Sequence, residues 1–280
     1  MIELTGARAI ECGLGGISLH GVTAGSGPLA LLGHGITANA YVFLPLMARL
    51  ADRFRLVSLD QRGHGRSGKP AEGYAAADFA ADVAAAIGVL GGGRALLIGH
   101  SLGARNALEA GVRYPELVAA VVAIEFTPFI EPEVFDALDA RVGGGDRLFE
   151  SLDAVKGYLA DRYQRLPADA VERRARYGYV PAGGGWRALA DPAAMRQTAR
   201  GLRASLEPTL RGIRVPTLLV RGAESRLVSP TAWARTKRLR PDLPTVEVEG
   251  GDHYAPEEVH GPIADEIARF WQSFGQGRQG

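Results

Sequence analysis

Seven short apolar runs constrain this chain more than any other feature of its sequence: ISLHGV (17–22), LALLGH (29–34), FRLVSLD (54–60), RALLIGH (94–100), VAAVVAIE (118–125), PTLLVRG (216–222) and PTVEVEG (244–250). Most are rich in Val, Ile and Leu with few polar interruptions, the form of strands covered on both faces. Segments of helical period lie between them. Phe43, Met47 and Leu50 fall at i, i+4, i+7, and Phe79, Val83, Ile87 and Leu90 repeat that spacing. Ile263, Ile267, Phe270, Trp271 and Phe274 give the last segment one apolar face. Each set makes a helix stripe that must be buried against something. Strands alternating with such helices predict a mostly parallel sheet with helices on both sides.

The alternation stops between about residues 126 and 212. That stretch holds no good strand candidate, but it has helical pieces, glycine runs at 143–145 and 183–185, and aromatics such as Phe135, Phe149, Tyr158, Tyr163, Tyr177 and Trp186. It reads as a helical cap, residues 126–212, inserted into a core formed by residues 1–125 and 213–280. The alternative reading is an elaborated crossover connection.

Global properties exclude several classes of function. With 32 Lys+Arg against 31 Asp+Glu, the net charge of +1 gives no reason to expect nucleic acid or an anionic membrane as partner. Cys12 stands alone, so no internal disulfide is expected, and no Cys/His spacing suggests a metal site. No run approaches the roughly 20 apolar residues of a membrane span, and the first residues lack the basic and apolar segments of a signal peptide. A cytoplasmic, cofactor-free protein acting on a small molecule is expected. The oligomeric state is left open, a homodimer included.

The chemistry concentrates in LLIGHSLGARNALEAGV (96–112), where a buried strand passes through Gly-His-Ser-Leu-Gly into a helix. This is the G-x-S-x-G turn: Gly99 and Gly103 leave room for tight packing, and the hydroxyl of Ser101 is pushed clear of the sheet. The Leu102 N–H, at the helix start, faces any oxyanion formed there. Upstream, LLGHGITAN (31–39) ends a strand in His34-Gly35, and the Ile36 N–H is the candidate second oxyanion donor. His34 itself is read as a structural hydrogen-bonding residue under that loop. His253, in the loop EVEGGDHYAPEEV (247–259), is the best-placed general base. His100 lies on the elbow, and His64 and His260 read as loop or surface residues. Glu125 ends an otherwise apolar strand, where an unpaired carboxylate would cost several kcal/mol.

These motifs resemble those of α/β-hydrolase-fold enzymes over essentially the whole chain: His34-Gly35, DQRGHGRS (60–67), GHSLG (99–103), the cap insertion and Gly251-Asp252-His253. The resemblance implies an eight-stranded, mostly parallel sheet and a triad in the order Ser, acid, His. In that family the acid most often follows the strand matched here by PTLLVRG. This chain departs there, reading RGAESRLVSP (221–230) with only Glu224 nearby. A minority of the fold places the acid one strand earlier, which is Glu125, its other reading being a salt bridge to a cap arginine.

The spacing further resembles a subgroup of cap-bearing hydrolases that cleave amide or enamide C–N bonds in small dicarboxylates. That resemblance implies substrate-binding roles for Tyr254, Arg141, and Arg162 with Tyr163. The subgroup carries aspartate as its acid, so Glu125, one methylene longer, sets the histidine slightly farther away. Guanidinium forks are natural partners for planar carboxylates in a water-poor pocket. Even so, eleven arginines crowd residues 129–205 against as many acidic residues, so most must lie on solvated faces. A carboxylesterase or lactonase would need the same triad, and a cofactor-free oxygenase or haloperoxidase a similar one. A dehalogenase would need an aspartate nucleophile where Ser101 stands. From a different class, a small-molecule receptor of this fold would also retain a triad.

Overall fold

A computed structural model describes residues 6–276 of the 280, with side chains as far as Ser273. An eight-stranded sheet runs in the order β1 (Arg8–Gly13), β2 (Ser18–Ala24), β4 (Arg55–Leu59), β3 (Leu29–Gly33), β5 (Ala95–His100), β6 (Val118–Ile124), β9 (Thr217–Gly222), β10 (Thr245–Val248). From β4 to β10 every neighbour is parallel, whereas β2 is antiparallel to both β1 and β4. All seven expected strands are present. The eighth, β1, carries alternating and mostly exposed residues at the sheet edge, so it lacks the apolar signature of the others.

The central strands β5, β6 and β9 are buried at every position because helices cover both faces. On one face, α1 (Leu44–Leu50) packs against α11 (His260–Gln276), and Phe43, Met47, Leu50, Ile263 and Ile267 join one core cluster. Phe43 belongs to a 3₁₀ turn, Ala40–Phe43, that leads into α1. The side chain of Phe274 lies outside the described residues. On the other face, α2 (Ala76–Leu90) packs against α3 (Leu102–Arg113), and α8 (Glu207–Gly212) packs on α3 in its turn. Helix α9 (Pro230–Leu239) adds the buried Trp233 to the same cluster.

Between β6 and β9 come α4 (Pro132–Gly143), α5 (Leu152–Arg162), α6 (Ala168–Gly178) and α7 (Pro192–Leu202). Helices α5 and α6 have a small core of their own around Val155, Leu159, Ala170 and Ala175. Through α4 and α7, Leu138, Val142, Ala194 and Met195 pack onto Ile36, Phe79 and Leu102 of the main body. Contrary to expectation, this segment also contains a hairpin, β7 (Tyr179–Ala182) with β8 (Gly185–Ala188). Its two-residue turn, Gly183-Gly184, has φ of 58° and 82°, the backbone that such a turn demands of glycine. Strands of four residues, one holding Pro181, are too short to show a period, and the glycine run was their only mark.

Strand order sets the site. The chain leaves β3 toward β4 on one side and reaches β5 on the other, so the loops beyond β3 and β5 part there, the place where doubly wound sheets hold ligands. A last short helix, α10 (Ala255–Glu258), follows β10.

Candidate active site

Ser101 occupies the turn between β5 and α3 with φ 54° and ψ −112°. Glycine packing forces this turn on the chain. A Cβ on Gly103 would lie 2.0 Å from the Gly33 carbonyl oxygen, and one on Gly99 would lie 2.2 Å from that of Gly103. Among the described residues the non-glycine positions with positive φ are Ser101 and Glu125, directly after β5 and β6, and Thr37, in the loop after β3. Such backbone costs on the order of 1–3 kcal/mol apiece and collects at functional sites.

The loop after β3 lies against the elbow: a Cβ on Gly35 would stand 3.4 Å from that of Ser101. His34 is fully buried; its Nδ1–H donates to the Gly35 carbonyl (2.8 Å) and its Nε2 accepts from the Gln61 N–H (3.1 Å), the structural role expected of it. His64 sits in a turn as expected but is not on the surface. It is fully buried beside His34, because the turn 61–68 folds back over Asp60.

Glu125, at φ 59°, turns its carboxylate across the end of the sheet. Oε1 accepts from the Gly222 N–H (2.7 Å), and Oε2 accepts from the Ser225 hydroxyl (2.6 Å) and from Nδ1–H of His253 (3.1 Å). The Ser225 oxygen also accepts from the Val228 N–H (3.1 Å), which orients the hydroxyl that donates to Glu125. Burial pushes the Glu125 carboxyl up to about 8, opposed by Ser225, Gly222 and Arg221. All its contacts are donors, which match a carboxylate, and we take that as the form that holds the imidazole. Glu224, the rival acid, is half exposed and paired with Arg165 (2.6 Å).

His253 is buried, and its carbonyl accepts from Nε2–H of His100 (2.7 Å) while its N–H donates to Asp252 (2.7 Å). With Nδ1 given to Glu125, Nε2 is the nitrogen left for the nucleophile. Burial, then Arg141 and Arg174, hold the imidazole well below its ordinary range, at about 3, so it is neutral at pH 7. Neutral is the form a general base requires.

Ser101, His253, Ile36, Tyr254 and Arg141 line one cavity of about 240 Å³. Arg141 donates to the Tyr254 hydroxyl (3.0 Å), and Arg162 donates to the Arg141 carbonyl (3.2 Å) and the Tyr158 hydroxyl. Arg141, Arg162 and Tyr163 line an adjoining cavity of about 700 Å³ between the loop after β3 and the segment that follows β6. Tyr163 is buried; burial raises its pKa, yet Arg174, Arg162 and Arg141 together bring it below the ordinary value.

Arg174 is the residue that sequence reasoning passed over. It is buried in α6, held by Glu257 of α10 through Nε (3.0 and 3.2 Å) and Nη2, and its guanidinium lies over the rings of Tyr163 (4.7 Å) and Tyr254 (5.0 Å). Burial disfavours its charge, but Glu257 more than restores it, and the pKa is raised. Within the arginine-rich composition of residues 129–205 nothing marked it, since most of those arginines do lie exposed, though only Arg176, Arg196 and Arg200 do so on helices. Among the described residues no group of His, Cys, Asp and Glu is arranged to hold a metal, and no helix is long and apolar enough to cross a membrane.

Sheet, elbow, buried acid and histidine loop together define a hydrolase of the α/β-hydrolase fold. A model of the alpha/beta hydrolase fold family matches residues 28–258, and the chain belongs to that family. It is 57% identical over 244 residues to the 2-(acetamidomethylene)succinate hydrolase of Mesorhizobium japonicum, covering 87% of this chain and 88% of that one. A crystal structure of E-2-(acetamidomethylene)succinate hydrolase superposes with a TM-score of 0.93 at 53% identity, over 95% of this chain and 99% of that one. The pimeloyl-[acyl-carrier protein] methyl ester esterase of Stenotrophomonas maltophilia is 30% identical over 275 residues, 91% of this chain and 96% of its own length.

Proposed function

We propose that this enzyme is a serine hydrolase that opens the amide C–N bond of a small enamide bearing carboxylates, with E-2-(acetamidomethylene)succinate as its substrate. His253 takes the proton of Ser101 as the hydroxyl attacks the acyl carbon, while Glu125 fixes the tautomer and steadies the imidazolium. The N–H groups of Leu102 and Ile36 receive the oxyanion, each worth roughly 10²–10³ in rate. His253 then protonates the departing nitrogen. Water, activated by the same imidazole, releases the acyl group as a carboxylic acid.

Arg141 and Arg162, with Tyr163 and Tyr254, hold the substrate carboxylates. The observation that carries this reading is Arg141 lining the same cavity as Ser101 and His253. A guanidinium there recognises carboxylates in the leaving half of the molecule while disfavouring a charged His253. Residues 126–212 form the cap over this site in our reading, and a cytoplasmic homodimer belongs to the same proposal, tested by fractionation and light scattering. Release of acetate from E-2-(acetamidomethylene)succinate tests the chemistry. Ser101→Ala is expected to lower kcat by about 10⁴ or more with the thermal transition retained. Near-normal turnover by that variant would remove the serine mechanism.

A further inference from the structure

Ser101 borders cavities of opposite character. Beside the polar space already described, a second cavity of about 530 Å³ begins at Ser101, Leu102 and Glu125 and runs beneath α4. Its walls include Phe126, Ile130, Val134, Leu138, Leu202 and Leu227.

Most polar groups in that wall are engaged elsewhere, although the buried Nε of Arg141 has no partner among the described residues. Arg105 donates to the carbonyls of Leu202 (3.1 Å), Gly201 (2.9 Å) and Ala204 (2.9 Å). Thr127 shares a hydrogen bond with the Thr236 hydroxyl (2.8 Å) and accepts from the Phe129 N–H (3.1 Å). Glu125 is held by Gly222, Ser225 and His253. Arg141, which borders both spaces, gives Nη1 to Tyr254 on the polar side. What faces the cavity is therefore mainly hydrocarbon, while the cations gather on the far side of the nucleophile.

We infer that this second cavity is the acyl pocket, and that the enzyme hydrolyses substrates with unbranched acyl chains of about four to six carbons as well as acetyl. The inference rests on the acyl-enzyme reading above. A carboxylate-bearing leaving group is drawn to the arginines, so the acyl substituent must point to the other side of Ser101. The enclosed part of this space has room for roughly three to five water-sized groups, so the single methyl of an acetyl does not fill it. Each added methylene that enters the pocket raises kcat/KM by roughly fourfold, the equivalent of its transfer from water. In the reaction the Ser101 oxygen bonds to the acyl carbon and the C–N or C–O bond breaks. The leaving amine or alcohol takes its proton from His253, and water releases the longer carboxylic acid.

The test is kcat/KM of the full chain for p-nitrophenyl acetate, butyrate and hexanoate, and for the N-acetyl and N-butyryl forms of aminomethylenesuccinate. A rise from acetyl to butyryl in both series, lost in Ser101→Ala, is expected. Val134→Trp, at a partly exposed position in the wall, should lower the hexanoate-to-acetate ratio of kcat/KM at least tenfold. The ratio cancels any general loss of folded protein. A monotonic fall from acetate to hexanoate, or a ratio untouched by Val134→Trp, overturns the acyl pocket while Ser101-dependent acetyl turnover keeps the mechanism. Absence of turnover on every acyl substrate overturns both.

Discussion

Arg174→Met is expected to be the most informative substitution in the cap. It leaves Glu257, whose side chain is 2% exposed, without the guanidinium that spans its two oxygens. Removing one member of a buried ion pair typically costs about 3–5 kcal/mol, because the remaining charge keeps its desolvation penalty without its partner. For a chain of this size that lowers the thermal midpoint by on the order of 10 °C. Glu257→Gln alone should also destabilise, but Arg174→Met with Glu257→Gln together should lose less than the sum of the two by about 2 kcal/mol or more. Urea and thermal unfolding of the four proteins at pH 7 measure that coupling. Losses that add to within about 0.5 kcal/mol would refute the pair as the tie between α6 and the loop carrying His253. The substitution also removes one of the two cations that lower the His253 pKa after burial itself. The acid limb of kcat/KM should therefore move to higher pH in Arg174→Met, and a limb that stays put would deny the arginine any electrostatic reach to the base.

Other outcomes follow from the same geometry. Glu125→Gln should cut kcat by roughly 10²–10⁴ through loss of tautomer control, whereas Glu224→Gln should stay within a few-fold; the reverse ranking in steady-state kinetics would move the triad acid to the later loop. In the parent enzyme, activity rises with pH as His253 loses its proton. Burial, Arg141 and Arg174 lower that pKa toward about 3, so the acid limb of kcat/KM belonging to His253 should lie well below the ordinary imidazole value; a limb near the ordinary imidazole value contradicts the assigned neutral base, while one near 8 would be Glu125 taking a proton and contradicts the assigned carboxylate. Gly103→Ala places a methyl 2.0 Å from the Gly33 oxygen, so soluble expression and the thermal transition should collapse. A folded, active Gly103→Ala enzyme would show that the elbow has slack.

The sequence by itself determined the sheet, because buried parallel strands need unbroken apolar runs and amphipathic helices need a stripe at helical period, both local properties. It also determined Ser101 and the two glycines beside it, since a strand-to-helix turn this tight tolerates few residue types. From the residues alone Glu125 was legible only as an anomaly, a charge on an apolar strand; its candidacy as the triad acid came from the family resemblance. Its meeting with His253 joins residues far apart in the chain: the parallel pairing of β6 with β9 brings Gly222 and Ser225 to its carboxylate, and that of β9 with β10 brings the histidine loop. The β7–β8 hairpin escaped because four-residue strands cover only two repeats of the strand period, too few to stand out. Arg174 and Glu257 escaped for a different reason: burial of a charge depends on what packs over it, which one sequence segment cannot record. The division of space around Ser101 into a cationic side and an apolar side was likewise decided by tertiary structure, which brings Val134 and Leu138 of α4 to one cavity and Arg174 of α6 to the other.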